Sequence, residues 1–564
     1  MTLGSRFRGV PGVAAVRTYD RGWLRSDLVA GLVLAAILVP QGMAYAELAG
    51  LPAVTGLYTT IACLLGYAIF GPSRVLVLGP DSSVSPMIFA ALVPLLGAGD
   101  DVSDAIALAG MLALIVGAVE ICLGLGKLGF VADLLSSEVR VGYMNGLAIT
   151  IIVGQLPKLC GFSTDADDFF EEVREFVTNI DETEMRALAV GLAVLAVLLL
   201  LPRISRRVPA VLVAVVGATI VSAVFQLDEH GVATVGSLPA GLPTPEFPWT
   251  SVHDLLPLVV AAMGITLVSL TDTIATASSF AARRREEVEP NQEMIGIGAA
   301  NVASGFLQGF AVSTSGSRTA VAEQSGAKTQ LTGVVGALVV ALLLLFFHSL
   351  LADLPQSALA AVVIAAALSL MDVRAVWRFA QIRRSALIVS LIATGGVIVL
   401  GVLEGIVVAI SLAVILFFQR SWWPHGEVLG EVDHMGGWHA VTLHPEAVER
   451  DGIVAFRWEA PLFFANAGTF RDQIRHLVRE RQPRWVVVQC QAVTDVDVTA
   501  GEVLQTLDQE LNDQGIHMAF AEMRTRLQEH LLLYGLFETL DRDHFYPSIE
   551  AAIEAIERED PPPQ

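Results

Sequence analysis

The sequence predicts a polytopic α-helical membrane domain followed by a cytoplasmic α/β domain. Three observations lead there: the density of long apolar runs, the sign of the charges between them, and a break in composition after Arg420. Of 564 residues, 54% are hydrophobic and 16% charged, and the mean hydropathy is +0.61. Soluble domains average about 45–50% apolar and about 25% charged residues. The excess lies between residues 28 and 419, in nearly uncharged runs such as 186–201 and 331–347. As helices of about 20 residues, such runs cross the ~30 Å hydrocarbon core of a bilayer, which excludes a soluble enzyme. The net charge of −22 argues against nucleic acid as a partner. Cys63, Cys122, Cys160 and Cys490 are too scattered for a disulfide framework or a zinc ligand set.

Residues 1–25 hold Arg6, Arg8, Arg17, Arg21 and Arg25 without a cleavable signal pattern, so the first span is expected to be retained. Residues 26–420 read as the transmembrane domain. About fourteen apolar segments follow one another in it. The first set is 28–46, 57–70, 81–97, 105–125, 138–157, 186–201 and 208–226. The second is 253–280, 293–311, 313–324, 331–351, 357–371, 386–402 and 403–419.

Charge tests that count. With a cytoplasmic N-terminus, every even-numbered connection should be rich in Lys and Arg. Those connections carry Arg74; Lys127; Arg203, Arg206 and Arg207; Arg283, Arg284 and Arg285; Lys328; and Arg374, Arg378, Arg383 and Arg384. The odd ones are acidic or neutral. Asp100, Asp101 and Asp104 occupy one, and residues 163–184 hold nine acids and one Arg. Lys158 and Arg174 are the exceptions. The parity places both termini in the cytoplasm.

Segments three and ten are short and interrupted. One follows Gly79-Pro80-Asp81-Ser82-Ser83-Val84-Ser85-Pro86, the other Ser313-Thr314-Ser315-Gly316-Ser317. Both open with residues that cap helix N-termini. Each is third in a set of seven, and because seven is odd the two sets must run in opposite directions. Paired broken segments at matching positions of inverted halves point to a transporter's midplane site.

After Arg420 the pattern turns soluble. Residues 421–564 hold 25 acids and 11 basic residues, with eight of the eleven His. Strands are expected at Ile453–Trp458, Leu462–Ala465, Trp485–Cys490 and Ile516–Glu522, with helices at 467–481, 500–513 and after Arg524. Residues 421–560 read as one compact domain, and 561–564 as a disordered Pro-rich tail.

Particular motifs carry a resemblance. Pro40-Gln41-Gly42-Met43-Ala44-Tyr45-Ala46, Gly56-Leu57-Tyr58 and Gly71-Pro72-Ser73-Arg74 resemble the SulP family of anion transporters. Gly79-Pro80-Asp81, Ser315-Gly316-Ser317-Arg318-Thr319-Ala320 and Gly326-Ala327-Lys328-Thr329-Gln330-Leu331 extend the match in order. The C-terminal domain is similar to a STAS domain. The resemblance implies a seven-plus-seven inverted repeat in which a core moves against a gate, commonly as a homodimer. It also implies an anionic substrate such as sulfate, bicarbonate, chloride or a dicarboxylate.

A half-helix N-terminus presents unpaired N–H groups and about half a positive charge, so two of them facing each other would bind an anion. Ser82, Ser83, Ser313, Thr314, Ser315 and Ser317 add hydroxyl donors. The resemblance maps the substrate pocket onto Gln41, Tyr45, Ser317 and Arg318. Arg318 is expected either to support the anion or to pair with Glu323 or another buried acid. Gln41 and Tyr45 are candidates for the site or for interhelical packing. Asp81 is read as an N-cap.

Asp272 lies in the middle of span eight, where an ionised carboxylate facing lipid costs about 2.5–3.5 kcal/mol or more. It must face the interior, stay protonated or hold a cation, and Thr276 shares its face one turn on. The resemblance implies that this carboxylate couples transport to H⁺ or Na⁺. The spacing of Glu47, Glu120, Glu138 and Glu404 suggests span ends. Thr499, in Asp495-Val496-Asp497-Val498-Thr499-Ala500-Gly501, matches a phosphorylated position of the STAS relatives or serves as an N-cap. No phosphate-binding loop for ATP appears.

The expected function is secondary active transport of a small inorganic anion, sulfate first, coupled to H⁺ or Na⁺, in the cell membrane. A Na⁺-coupled bicarbonate carrier, an uncoupled anion channel and a membrane-tethered regulator are the competing readings. No enzyme activity and no cofactor are expected, apart from Na⁺ at Asp272 and Thr276 as an alternative coupling ion.

Overall fold

The computed structural model describes residues 10–97, 101–133, 135–164, 166, 168–205, 209–432, 434–534 and 542–560. The expectations placed on Arg6, Arg8, Asp100, Arg206, Arg207 and the Pro-rich tail lie outside them. The chain forms two compact units, Met1–Ala413 and Val414–Gln564.

Every apolar segment read from the sequence is occupied by a helix. The first set is α1 Leu24–Leu48, α2 Ala53–Phe70, α3 Ser85–Leu92, α4 Val102–Leu125, α5 Ser137–Cys160, α6 Met185–Ile204 and α7 Ala210–Phe225. The second is α8 Val252–Arg284, α9 Pro290–Phe306, α10 Gly316–Gln324, α11 Leu331–Phe346, α12 Gln356–Leu370, α13 Arg384–Leu400 and α14 Val402–Trp422. Among the described residues, eight helices are long and apolar enough to cross a membrane, and four shorter apolar helices include α7, α11 and α13.

Close packing follows from small residues. Where α4 crosses α9, a Cβ on Gly117 would sit 2.6 Å from the Gly298 carbonyl oxygen, and one on Gly305 would sit 2.6 Å from that of Gly110. The glycines recur every seven residues on both helices, so the backbones touch along the whole crossing. The pairs α4–α9 and α2–α11 are in contact, as are α6–α12 and α5–α13, and α1–α11 and α4–α8.

Two connections hold helices that the sequence reading left as loops, Phe169–Thr178 and Val373–Ile382. Both are too short to register as spans. Their apolar residues fall on one face, and Val373, Trp377 and Ile382 are exposed.

The motif around Lys328 has a structural role. Asp27, fully buried on α1, accepts from Lys328 N (2.7 Å), Thr329 N (3.2 Å), Thr329 Oγ1 (2.8 Å) and Thr332 Oγ1 (3.1 Å). A carboxylate at the opening of α11 satisfies donors that the helix itself cannot.

The second unit is built on a six-stranded sheet. Its strands are β3 Gly426–Glu431, β4 Trp438–Ala440, β5 Ile453–Trp458, β6 Trp485–Gln489, β7 His517–Ala521 and β8 Phe545–Tyr546, ordered β4-β3-β5-β6-β7-β8. From β5 to β8 the pairing is parallel. Leu462–Ala465 is not a strand: Leu462 makes one bridge to Val496, and the chain then turns into α15, Ala467–Arg481. Alternation along β5 sends Phe456 and Trp458 to a core with α15, α16 (Val498–Asn512) and α17 (Thr525–Leu533). Ile453 and Ala455 face α18 (Ile549–Glu559) instead.

Candidate functional site

The site begins with two strands of two residues each, β1 Leu78–Gly79 and β2 Ser313–Thr314, the first separated from α3 by residues 80–84 and the second from α10 by Ser315 alone. They pair antiparallel, Leu78 opposite Thr314 and Gly79 opposite Ser313. Ser315 N donates to Val77 O (3.2 Å), and Val77 N donates to Thr319 Oγ1 (3.1 Å). The sequence predicted both broken helices. It held no signal for the strand pair that ties their openings together, because two residues show no periodicity.

Beside this ribbon lies a cavity of ≈ 490 Å³. Eight of the eleven candidate residues for the anion and the coupling ion line it: Gln41 and Tyr45 from α1, Ser82 before α3, Asp272 and Thr276 from α8, and Thr314, Ser315 and Ser317 at the opening of α10. Asp81 lines it too. Leu198 and Pro202 of α6, Ala210 and Val211 of α7, and Val362, Ala365, Ala366, Ser369 and Leu370 of α12 form the opposite, mainly apolar wall. Sequence reasoning missed that wall, since apolar residues within apolar spans carry no chemical signal.

The other three, Ser313, Ser83 and Arg318, are placed differently, and Ser313 is fully buried within β2. Ser83 is fully buried and gives both its N–H (3.1 Å) and its Oγ (2.9 Å) to Asp81 Oδ2. Its donors are thereby taken. Arg318 is 1% exposed and donates to Pro80 O (2.6 Å) and Asp81 Oδ1 (3.0 Å). Glu323 bonds Arg284 instead, at 3.1 Å. The pairing of Arg318 with a buried acid is present, and the acid is Asp81 and not Glu323. Arg318 also lines a second cavity of ≈ 690 Å³, which shares Gln41, Pro202, Ala210, Val211 and Ser317 with the first. A Cβ on Gly79 would meet Arg318 Nη1 at 2.7 Å, so the guanidinium reaches Pro80 only past a residue without a side chain.

The reading of Asp81 as an N-cap is corrected: Val84 is the N-cap of α3, and the Asp81 carboxylate accepts from Ser83 and Arg318 instead. The turn it closes, with Val84 N and Ser85 N both donating to Asp81 O, leaves α3 without a side-chain cap of its own. At α10 the N-cap Ser315 makes no side-chain cap bond either, and its Oγ lies 3.0 Å from Ser317 Oγ. Thr319 is the first α10 amide to bond within the helix, to Ser315 O (3.0 Å). The amides of Gly316, Ser317 and Arg318 have no partner among the described residues. Uncapped amides at a helix opening are a ready anion-binding group. Nothing crowds Gly316, whose added Cβ would meet open space.

Glu120 departs from its expected place at a span end. It is fully buried among α4, α8 and α9 and accepts from Ser269 Oγ (3.1 Å) and Asn301 Nδ2 (2.7 Å). Thr499 is exposed at the second position of α16, where Asp497, accepting from Ala500 N at 2.8 Å, is the N-cap. The expectation that Thr499 caps this helix is corrected accordingly.

Residues 24–393 match the sulfate permease family and residues 444–552 match the STAS domain. A protein named "Probable sulfate transporter" from Mycobacterium tuberculosis is 41% identical over 550 residues, covering 97% of this chain and 98% of that one. A chloroplastic sulfate transporter of Arabidopsis thaliana is 29% identical, covering 96% and 81%. Among solved structures, that of SLC26A9 superposes with a TM-score of 0.89 at 22% identity, covering 99% of this chain and 94% of that one. The transmembrane domain of a cyanobacterial bicarbonate transporter, BicA, gives 0.62 at 23% identity, covering 70% and 98%. At these identities the two structures establish a shared fold.

Proposed function

The chain belongs to the sulfate permease family and carries a STAS domain, and from that premise we propose that it is a secondary active carrier of sulfate, driven by H⁺ or Na⁺. It is a multi-pass membrane transporter and not an enzyme. One observation carries the reading of the site: Asp272 and Thr276 line the same cavity as the uncapped opening of α10.

That shared cavity supplies a reason for coupling. An anion held by the Gly316, Ser317 and Arg318 amides is repelled by an ionised Asp272, so it binds best once Asp272 has taken up a proton or a cation. By linkage the anion promotes that uptake to the same extent. Thr276, one turn along from Asp272, offers a hydroxyl to Na⁺ equally well. Gln41, Tyr45 and Ser82 would orient the oxyanion, and Arg318, neutralised by Asp81, would hold the two openings in register.

In this reading the fourteen helices are spans of two inverted sets of seven. The helix contacts support it: advancing each number by seven turns α4–α9 into α11–α2, α6–α12 into α13–α5, and α1–α11 into α8–α4. Both termini are cytoplasmic, the membrane is the plasma or inner membrane, and the carrier is a homodimer. Thr499 is an accessible acceptor for regulatory phosphorylation.

The test is uptake into proteoliposomes of the purified chain, with labelled sulfate and labelled bicarbonate, under imposed H⁺ or Na⁺ gradients. Sulfate accumulation that follows one gradient is expected. Accumulation of bicarbonate alone would move the substrate, and flux that merely equilibrates would make the chain a channel.

A further inference from the structure

Glu120, Ser269, Asn301 and Val312 form a closed ring of hydrogen bonds outside the cavity. Glu120 Oε1 faces Ser269 Oγ at 3.1 Å and Glu120 Oε2 accepts from Asn301 Nδ2 at 2.7 Å. Asn301 Oδ1 accepts from Val312 N at 2.8 Å, and Ser269 Oγ lies 3.3 Å from Val312 O. Glu120, Ser269, Asn301 and Val312 are all fully buried. Val312 immediately precedes β2, and Ser269 sits three residues before Asp272 on α8. The ring thus joins the backbone that sets the α10 opening to the helix that carries the coupling carboxylate.

We propose that Glu120 is a positioning residue for the anion site, and that its protonation state is passed to β2 through the choice of acceptor made by the Ser269 hydroxyl. The proposal rests on the reading of the site given above. A serine hydroxyl has one proton, and two acceptors lie within its reach. With Glu120 ionised, Ser269 donates to Glu120 Oε1 and the Val312 carbonyl loses that donor. When a proton from the aqueous phase binds Oε1, the new O–H donates to Ser269 Oγ, and Ser269 turns its own proton to Val312 O. The Asn301 bonds persist in both states, so the ring stays closed while the hold on Val312 changes by one hydrogen bond.

Few other charges intrude on this ring. The helices packed on α4 are α9, α8 and α3. Of these α3 has no titratable side chain, and on α9 Glu293 is bound two turns away to Tyr67 (2.6 Å) and Ser73. On α8, His253 and Asp254 lie in the first turn and Arg283 and Arg284 in the last. Asp272 interacts with the charges of Asp81 and Arg140 and with the Ser83 hydroxyl, whereas Glu120 has the hydrogen bonds of Asn301 and Ser269. The charged Asp104 of α4 itself is in that helix's first turn.

Glu120→Gln tests the mechanism because an amide mimics the protonated acid. Its Nε2 donates to Ser269, its Oε1 accepts from Asn301, and the ring remains satisfied. The measurement is hydrogen exchange of the peptide spanning residues 309–319, on the full chain in lipid nanodiscs, across an acid-to-alkaline series. At each pH the native rate is divided by that of the Gln variant, which removes the intrinsic pH dependence of exchange. A ratio near unity on the acid side, rising about fivefold on the alkaline side, is the change one hydrogen bond produces. Ser269→Ala, which has no hydroxyl to turn, should exchange at the native alkaline-side rate relative to intrinsic at every pH.

A native-to-Gln ratio that is constant with pH overturns the proposal, as does a native-like pH response in Ser269→Ala. A purely structural Glu120 would give that constant ratio. Exchange is read without any anion, so a failure to transport sulfate would count against the proposed function while leaving this test decisive. In a transporting preparation, Glu120→Gln should also flatten the pH dependence of KM while keeping maximal flux within about twofold, consistent with a conserved ring.

Discussion

The Asp81 carboxylate and the Arg318 guanidinium, one from each broken helix, meet at 3.0 Å in the interior of the membrane domain. The pair crosses the β1–β2 ribbon, and it makes the full positive charge of Arg318 largely internal. In the proposed function, attraction for the anion then falls to the backbone at the α10 opening and to the hydroxyls beside it. Charge selectivity from amides and a half-dipole suits an ion that must leave again, because a free arginine would hold it too tightly.

Breaking that pair is expected to be worse than removing it. Asp81→Asn leaves a buried guanidinium without its counter-charge, and Arg318→Gln leaves the carboxylate. Loss of one partner of a buried pair costs about 3–5 kcal/mol. The double variant Asp81→Asn/Arg318→Gln restores neutrality and should recover much of it. Melting temperatures of the four proteins in one detergent check this: a double variant no better than the worse single would mean that the two groups do not act as a pair.

Asp272→Asn should abolish gradient-driven accumulation while the protein stays folded and still binds its anion. The amide keeps shape and polarity but takes up neither a proton nor a cation. Equilibrium binding and accumulation, measured on the same preparation, separate the two steps. Undiminished accumulation by the Asn variant would put coupling elsewhere.

Gly56→Ala should cost more than Gly42→Ala, although the two glycines face each other. A Cβ on Gly56 would lie 1.9 Å from the Gly42 carbonyl oxygen, while one on Gly42 would lie 3.0 Å from that of Gly56. The first clash is with backbone and forces α1 and α2 apart, at about 1–3 kcal/mol or more. Because Gln41 flanks Gly42, anion affinity should fall with it. Thermal stability and binding on the two Ala variants give the order, and equal effects would refute the geometry.

Much of this was legible because the bilayer demands it. Long apolar runs had to be helices, and Asp272 stood out as a carboxylate where carboxylates are costly. Gly79-Pro80 and Ser315-Gly316 announced the breaks. The partnership of Asp81 with Arg318, 237 residues apart, was hidden, since nothing local in a sequence encodes which buried acid an arginine meets. Glu120 was misplaced because distance from a helix end says little about depth when helices cross closely through glycines. In the second unit β3, β4 and β8 escaped notice: β4 and β8 are edge strands of three and two residues, and β3, though internal, is interrupted by Gly426 and Gly430.

Stability of the second unit should depend on Asp508. This residue of α16 is 3% exposed, and burial pushes its carboxyl up from 3.8 to about 6, opposed by the Asn512 amide at 3.1 Å. The folded domain holds that proton more tightly than the unfolded chain does. Its contribution is therefore fully present below about 3.8 and is lost as pH rises through about 6. Asp508→Asn should stabilise the domain near neutral pH by on the order of 1–3 kcal/mol and lose that advantage in acid. Hydrogen exchange of β6 and β7 in the full chain, for both proteins against pH, reports it. A gain that is constant with pH would exclude titration of Asp508 as the cause.

The last prediction concerns which donors hold the anion. Ser315 N already donates to Val77 O at 3.2 Å, so proline there would break the ribbon and not test the site. Ser317 is the informative position. It is the second residue of α10, where proline fits a helix and where the amide has no partner among the described residues. Ser317→Ala removes a hydroxyl, and Ser317→Pro removes the hydroxyl and the amide donor together. A hydrogen bond to a charged group contributes about 1.5–3 kcal/mol, so Pro should weaken binding about tenfold or more beyond Ala. Isothermal calorimetry with sulfate on both variants, alongside their melting temperatures, makes the comparison. Equal affinities in two well-folded proteins would mean that the anion is held by other amides of the opening.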